Sequence, residues 1–217
     1  MDTAQLIYFS DPMCSWCWGF APVITAIRRR FGPGLPIRLV MGGLRPGTDT
    51  PMSREAWAGL DSHWVHVTEA SGQPFHPGLK DREGFCYNTD PAARAVVILR
   101  RHDMGLALAF LERAQRAFYA ENQDVTDPEV LADLAVPFGV ERESFLGLMA
   151  SQEAKTETWT DYAISQRAGV TGFPTLVAGP NAEGVYGAVT RGYSPPEQVL
   201  RVLETWLAGP ADARQAN

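Results

Sequence analysis

The apolar positions along this chain change their spacing twice, and the changes divide it into three parts. Leu6-Ile7-Tyr8-Phe9 is a short apolar run, the pattern of a buried strand. After it, Phe20, Ile24, Ile27 and Phe31 recur at helical spacing, and Gly32-Pro33-Gly34 ends that periodicity. Ile37-Arg38-Leu39-Val40-Met41 reads as a second strand, closed by Gly42-Gly43. A right-handed crossover makes the two strands parallel neighbours. Pro22 falls inside the helix and predicts a kink.

From about Thr50 to Ala168 the period is helical and no strand pattern appears. Ser53, Asp90 (before Pro91) and Asp127 (before Pro128-Glu129) stand as N-cap residues near the starts of apolar helical runs. Ala95–Leu99 and Leu106–Phe118 are the most apolar parts, and four to six helices packed as a small bundle are predicted. Gly72 to Asn88, rich in Gly, Pro and charge, is the expected long loop.

The last part returns to a strand pattern. Thr175-Leu176-Val177-Ala178 is one strand, residues 179–184 a turn, and Val185-Tyr186-Gly187-Ala188 its hairpin partner. Ser194-Pro195-Pro196-Glu197 reads as a capping box, opening a helix with Val199, Leu200, Leu203, Trp206 and Leu207 on one face. Gly209-Pro210 stops it. The expected division is residues 1–49 and 169–210 as two halves of one α/β unit, 50–168 as an inserted helical domain, and 211–217 as a tail. Closing the insertion leaves β-α-β-β-α, a mixed sheet with helices on both faces.

Composition narrows the function. An apolar share of 45% in 217 residues supports a sizeable core, and a net charge of −6 argues against a general nucleic-acid or membrane-surface partner. Arg28-Arg29-Arg30 sits where the first helix ends and complements its C-terminus. The N-terminal residues show no basic region followed by an apolar core, and no stretch approaches a membrane span of roughly 18 residues. A cytoplasmic location is therefore expected. In that compartment three cysteines read as a catalytic pair plus one, Cys86, rather than a disulfide framework.

The pair is Cys14-Ser15-Trp16-Cys17, directly after the first strand and at the start of the first helix. Two cysteines so spaced lie close enough to form a disulfide without moving the backbone, and the unpaired N–H groups of a first helical turn favour negative charge there. The alternative is half of a zinc site, which needs two more ligands. Cys86, His63, His66, His76 and His102 are the available soft residues, and no second C-x-x-C exists; no metal is expected. Trp16, between the cysteines, is a candidate for an apolar substrate rim, whereas Trp18 and Phe20 read as core. Asp11, three residues before Cys14, is either a turn residue ahead of Pro12 or a proton relay, the turn being favoured.

The order of elements, with C-x-x-C after the first strand, resembles the thioredoxin fold. A helical insertion between its halves resembles the DsbA-like thiol–disulfide oxidoreductases. Asp11-Pro12-Met13-Cys14-Ser15-Trp16-Cys17-Trp18-Gly19-Phe20 is similar to the active-site segment of their cytosolic branch, described as predicted protein-disulfide isomerases. Gly169-Val170-Thr171-Gly172-Phe173-Pro174-Thr175 resembles the segment ending in the family's cis-proline. The resemblance implies Cys14 as nucleophile, a buried Cys17 of higher pKa as resolving thiol, and Phe173 and Pro174 as a substrate-binding segment. It implies no organic cofactor, protein or small-thiol disulfides as substrates, and glutathione or a thioredoxin-type protein as reductant. The strongly oxidising members carry histidine between the cysteines. Trp16 stands there instead, which favours reduction or isomerisation. Two other readings share the features: a glutathione-dependent transferase or isomerase of the kappa and hydroxychromene-carboxylate isomerase type, and a non-enzymatic redox-switch binding protein.

Overall fold

The computed structural model describes residues 4–82, 84–181 and 183–212. The strands β1 (Gln5–Ser10) and β2 (Ile37–Met41) pair in parallel across the helix α1 (Ser15–Phe31), with Leu6 opposite Ile37 and Ser10 opposite Met41. Six helices follow among the described residues: α2 (Arg54–Ser71), α3 (Asp90–His102), α4 (Met104–Tyr119), α5 (Pro128–Ala135), α6 (Arg142–Ala150) and α7 (Gln152–Arg167). The chain then adds β3 (Thr175–Gly179), β4 (Gly187–Arg191) and α8 (Pro196–Asp212). The sheet order is β2-β1-β3-β4, with β3 antiparallel to both of its neighbours. This is the thioredoxin fold with its helical insertion.

Local chemistry explains most boundaries. Ser53 and Asp127 cap α2 and α5 through their side-chain oxygens, as their positions predict. Asp90 does not cap α3. It lies inside the first turn, its N–H held by Asn88 Oδ1, and its carboxylate pairs with Arg94. The hairpin partner starts two residues later than predicted. Asn181 Oδ1 accepts the N–H groups of Glu183 and Val185, and the Val185 carbonyl accepts the Asn181 N–H, so the loop consumes Val185 before pairing begins. Ser194 pairs with the Thr190 hydroxyl rather than forming a capping box, and α8 begins at Pro196. Along α8, Val199 and Leu203 are buried, Leu200 and Trp206 half-buried, and Leu207 is exposed, against expectation. Gly209, at φ 69°, breaks the helical conformation where the stop is predicted. Of the expected tail, residues 213–217 lie outside the described residues.

The two faces of the sheet differ. Leu6, Tyr8, Ile37, Leu39, Met41, Leu176 and Ala178 are all buried, and the Tyr8 ring meets Phe20 of α1 at 5.8 Å. Alternation and register place Ile7, Phe9, Thr175, Val177, Ala188 and Arg191 on the opposite face. Pro22 sits inside α1 and offers no N–H to the Trp18 carbonyl one turn back; Gln73 Nε2 donates to that carbonyl instead at 3.1 Å.

An edge strand leaves a row of backbone groups unpaired. On β2 the helical insertion partners three of them. Arg100 Nη1 of α3 donates to the Leu39 carbonyl at 2.9 Å, the Met41 N–H donates to Asp161 Oδ2 of α7 at 2.9 Å, and the Leu39 N–H meets Met104 Sδ at 3.4 Å. Arg100 and Asp161 also pair directly at 2.6 Å with little exposure of either. Breaking such a pair from one side leaves an uncompensated charge. Asp161→Ala is therefore expected to lower unfolding free energy by about 3 kcal/mol in urea titration; a loss under about 1 kcal/mol would contradict this role for the edge.

Candidate redox site

Cys14 is the N-cap residue of α1, with φ −94° and ψ 117°, and Cys17 lies in the first turn. Both are free thiols. Cys14 is 7% exposed and Cys17 is fully buried, the asymmetry that an attacking and a resolving thiol require. Burial pushes the Cys17 thiol well above its usual pKa, and the adjacent Cys14 pushes the same way. Hydrogen bonds from Ser10 and from the Asp11 backbone oppose that shift. Ser10 Oγ in turn donates to the buried Tyr8 hydroxyl at 3.1 Å.

The remote segment meets the pair. Cys14 Sγ lies 3.5 Å from the Phe173 carbonyl oxygen, and the Phe173–Pro174 peptide is cis. The Phe173 ring rests on Gly42, at the end of β2, where a Cβ would come within 2.2 Å of it. Three distant segments, at 14, 42 and 173, thus meet through Phe173.

Asp11 acts as a strut. Oδ1 accepts the Met13 N–H at 2.9 Å and Oδ2 accepts the Leu44 N–H at 2.8 Å. Burial raises its pKa to about 6 despite these bonds. With both oxygens engaged, the geometry is that of a turn residue. The carbonyl of Met13, one residue before Cys14, accepts both the Tyr87 hydroxyl at 2.7 Å and the Tyr119 hydroxyl at 2.6 Å. No spacing in the sequence signals either tyrosine.

Trp16 is half-buried between the edge of His63 at 5.6 Å and the tilted ring of Tyr193 at 5.5 Å. Trp18 is buried, as expected for core, and its Nε1 donates to the Pro74 carbonyl. Phe20 is likewise fully buried. His76 caps a short turn through Nδ1, His102 closes α3, and the half-buried Cys86 thiol donates to the Asp49 carbonyl at 3.2 Å. His66 lies on α2 one turn from His63. Among the described residues no three His, Cys, Asp or Glu side chains are grouped as a metal would need. Nor is any described helix long and apolar enough to cross a membrane.

Comparison with known proteins follows the same lines. A family profile described as the DSBA-like thioredoxin domain matches residues 5–201. A Nitrosomonas europaea protein described as a candidate protein disulfide isomerase superposes with a TM-score of 0.87 at 36% identity, covering 100% of both chains. The cytosolic disulfide reductase DsbM from Pseudomonas aeruginosa, with GSH, superposes at 0.73 and 25% identity over 94% of this chain and 98% of that one. Among curated proteins, a ClpXP adapter protein SpxH of Bacillus cereus (strain ATCC 10987 / NRS 248) is 26% identical over 209 residues, 93% of this chain and 69% of the relative.

Two outcomes test the site's architecture. Tyr87→Phe and Tyr119→Phe should each cost about 1 kcal/mol in chemical denaturation, and the double variant about 3 kcal/mol, because the buried carbonyl then has no donor. Strict additivity would show that the two hydroxyls do not share one acceptor. Asp11 gives a pH signature. Its folded pKa of about 6 lies above its ordinary 3.8, so the folded state binds the proton more tightly. The stability it confers is full below pH 3.8 and is lost as pH rises through about 6. Wild-type stability relative to Asp11→Asn should fall across that window by about 2–3 kcal/mol. A flat difference would mean the carboxyl is not buried as described.

Proposed function

The chain belongs to the DSBA-like thioredoxin domain family, and on that premise we propose that it reduces or isomerises disulfides through Cys14 and Cys17. The observation that carries the reading is the contact of Cys14 Sγ with the Phe173 carbonyl, which sets the more accessible of the two thiols beside a segment able to pair with an extended substrate. The Cys14 thiolate attacks a substrate disulfide, one substrate sulfur leaves as a thiol, and a mixed disulfide forms. The Cys17 thiol then loses its proton and attacks Cys14 Sγ, releasing the second substrate thiol. Two electrons have passed to the substrate, and the Cys14–Cys17 disulfide is reopened by a reductant. Glutathione or a thioredoxin-type protein fits that role, and a cytosolic setting fits the direction.

Trp16 in place of a charged neighbour supports a reducing rather than a strongly oxidising couple, with a potential near the thioredoxin end, about −270 mV. Two cysteines where a glutathione transferase needs no disulfide chemistry argue against the transferase reading. A second reading, a redox-responsive docking protein, is favoured by the curated relatives named as adapters.

Turnover separates the readings. Insulin reduction with a thiol donor is expected from the wild type and not from Cys14→Ser. Cys17→Ser should accumulate mixed disulfides, because the attacking thiol survives and the releasing one is gone. Brief iodoacetamide labelling of the reduced protein should modify Cys14 before Cys17. Trapping by neither variant, with no insulin reduction, would leave the docking role.

A further inference from the structure

The sheet face turned away from α1 carries a groove of about 620 Å³, next to the segment that meets Cys14. That volume lies within the range of small-molecule sites. Its floor is Ile7 and Phe9 of β1 with Val177 of β3 and Ala188 of β4, side chains that alternation places together. One wall is the segment 168–173. The other is the Tyr186 ring, 48% exposed, which lies over Gly179 where a Cβ would come within 2.2 Å. The wall therefore depends on a glycine at 179.

One end of this apolar floor is cationic. Arg191 stands opposite Thr175 on the groove face and lines the groove. Among the described residues no acidic side chain forms an ion pair with it. Thr171 and Gly172 also line the groove. An unpaired guanidinium beside an apolar floor matches a ligand with one anionic head and an apolar body.

We propose that this groove binds a small amphipathic carboxylate, its head at Arg191 and its unbranched tail along Ile7, Phe9 and Val177. The groove shares Phe173 with the candidate redox site, but neither cysteine lines it and its ligand is not a disulfide. The tail removes the partly exposed Ile7 and Val177 from water, and the head forms charge-assisted hydrogen bonds.

Isothermal titration of the full chain with octanoate, and with 1-octanol as the uncharged control, tests this. One octanoate per chain is expected. Arg191→Gln should weaken octanoate about tenfold and leave octanol unchanged. Ala188→Trp, at an exposed strand position, should fill the groove and remove both. Circular dichroism checks that the two variants fold, and both should still reduce insulin at the wild-type rate, since neither residue contacts the cysteines. Cys17→Ser should retain octanoate binding, which separates this proposal from the redox reading. No octanoate binding by the wild type, binding unaffected by either substitution, or equal loss of octanoate and octanol in Arg191→Gln would each overturn it.

Discussion

The carbonyl of Met13 holds two phenolic hydroxyls, and the geometry of the cysteine pair depends on that arrangement. The residues between β1 and α1 have no ladder or helix to fix them. The Met13 carbonyl is satisfied from outside by Tyr87 and Tyr119, and the Met13 N–H from within the segment by the Asp11 carboxylate, which also ties it to the Leu44 N–H. Both tyrosines belong to the inserted segment. The insertion thus supplies the rigid frame in which Cys14 keeps its place as the N-cap residue. The cost is a carboxyl group held in a dry environment, which raises its proton affinity.

The same segment fastens the structure at two further points. Gln73 donates to the Trp18 carbonyl and the Trp18 indole donates to the Pro74 carbonyl, at the part of α1 where Pro22 has removed a helical hydrogen bond. Arg100 and Asp161 complete the outer side of β2 and neutralise each other there. Sheet, active-site helix and helical insertion are therefore linked through polar groups that each have a defined partner. Hydrophobic burial brings the layers together, and these bonds fix how they are placed relative to one another.

The β-α-β opening was legible because its periodicity, glycine stops and C-x-x-C are all local signals. Ser53 and Asp127 were legible as caps for the same reason. Pro174 could be placed at the site through resemblance, since nothing near it in sequence distinguishes it from a proline that starts a strand. Tyr87 and Tyr119 were not legible. They reach Met13 across 74 and 106 residues, and a tyrosine in a loop or at a helix end carries no pattern of its own. The start of β4 was misplaced because Val185 looks like strand by composition, whereas the Asn181 side chain claims its backbone. Leu207 follows the helical period yet lies past the part of α8 that meets the core.

The treatment of the sheet's outer strands has a consequence for assembly. Side chains close β2, whereas β4 has no strand beyond it in the order β2-β1-β3-β4. Growth of the sheet between molecules is possible in one direction. Two copies that meet through β4 consume each other's open side and form a closed two-fold pair, with nothing left to continue a fibre. Strand addition through β4 would thus stop at two copies, because the helical insertion covers β2.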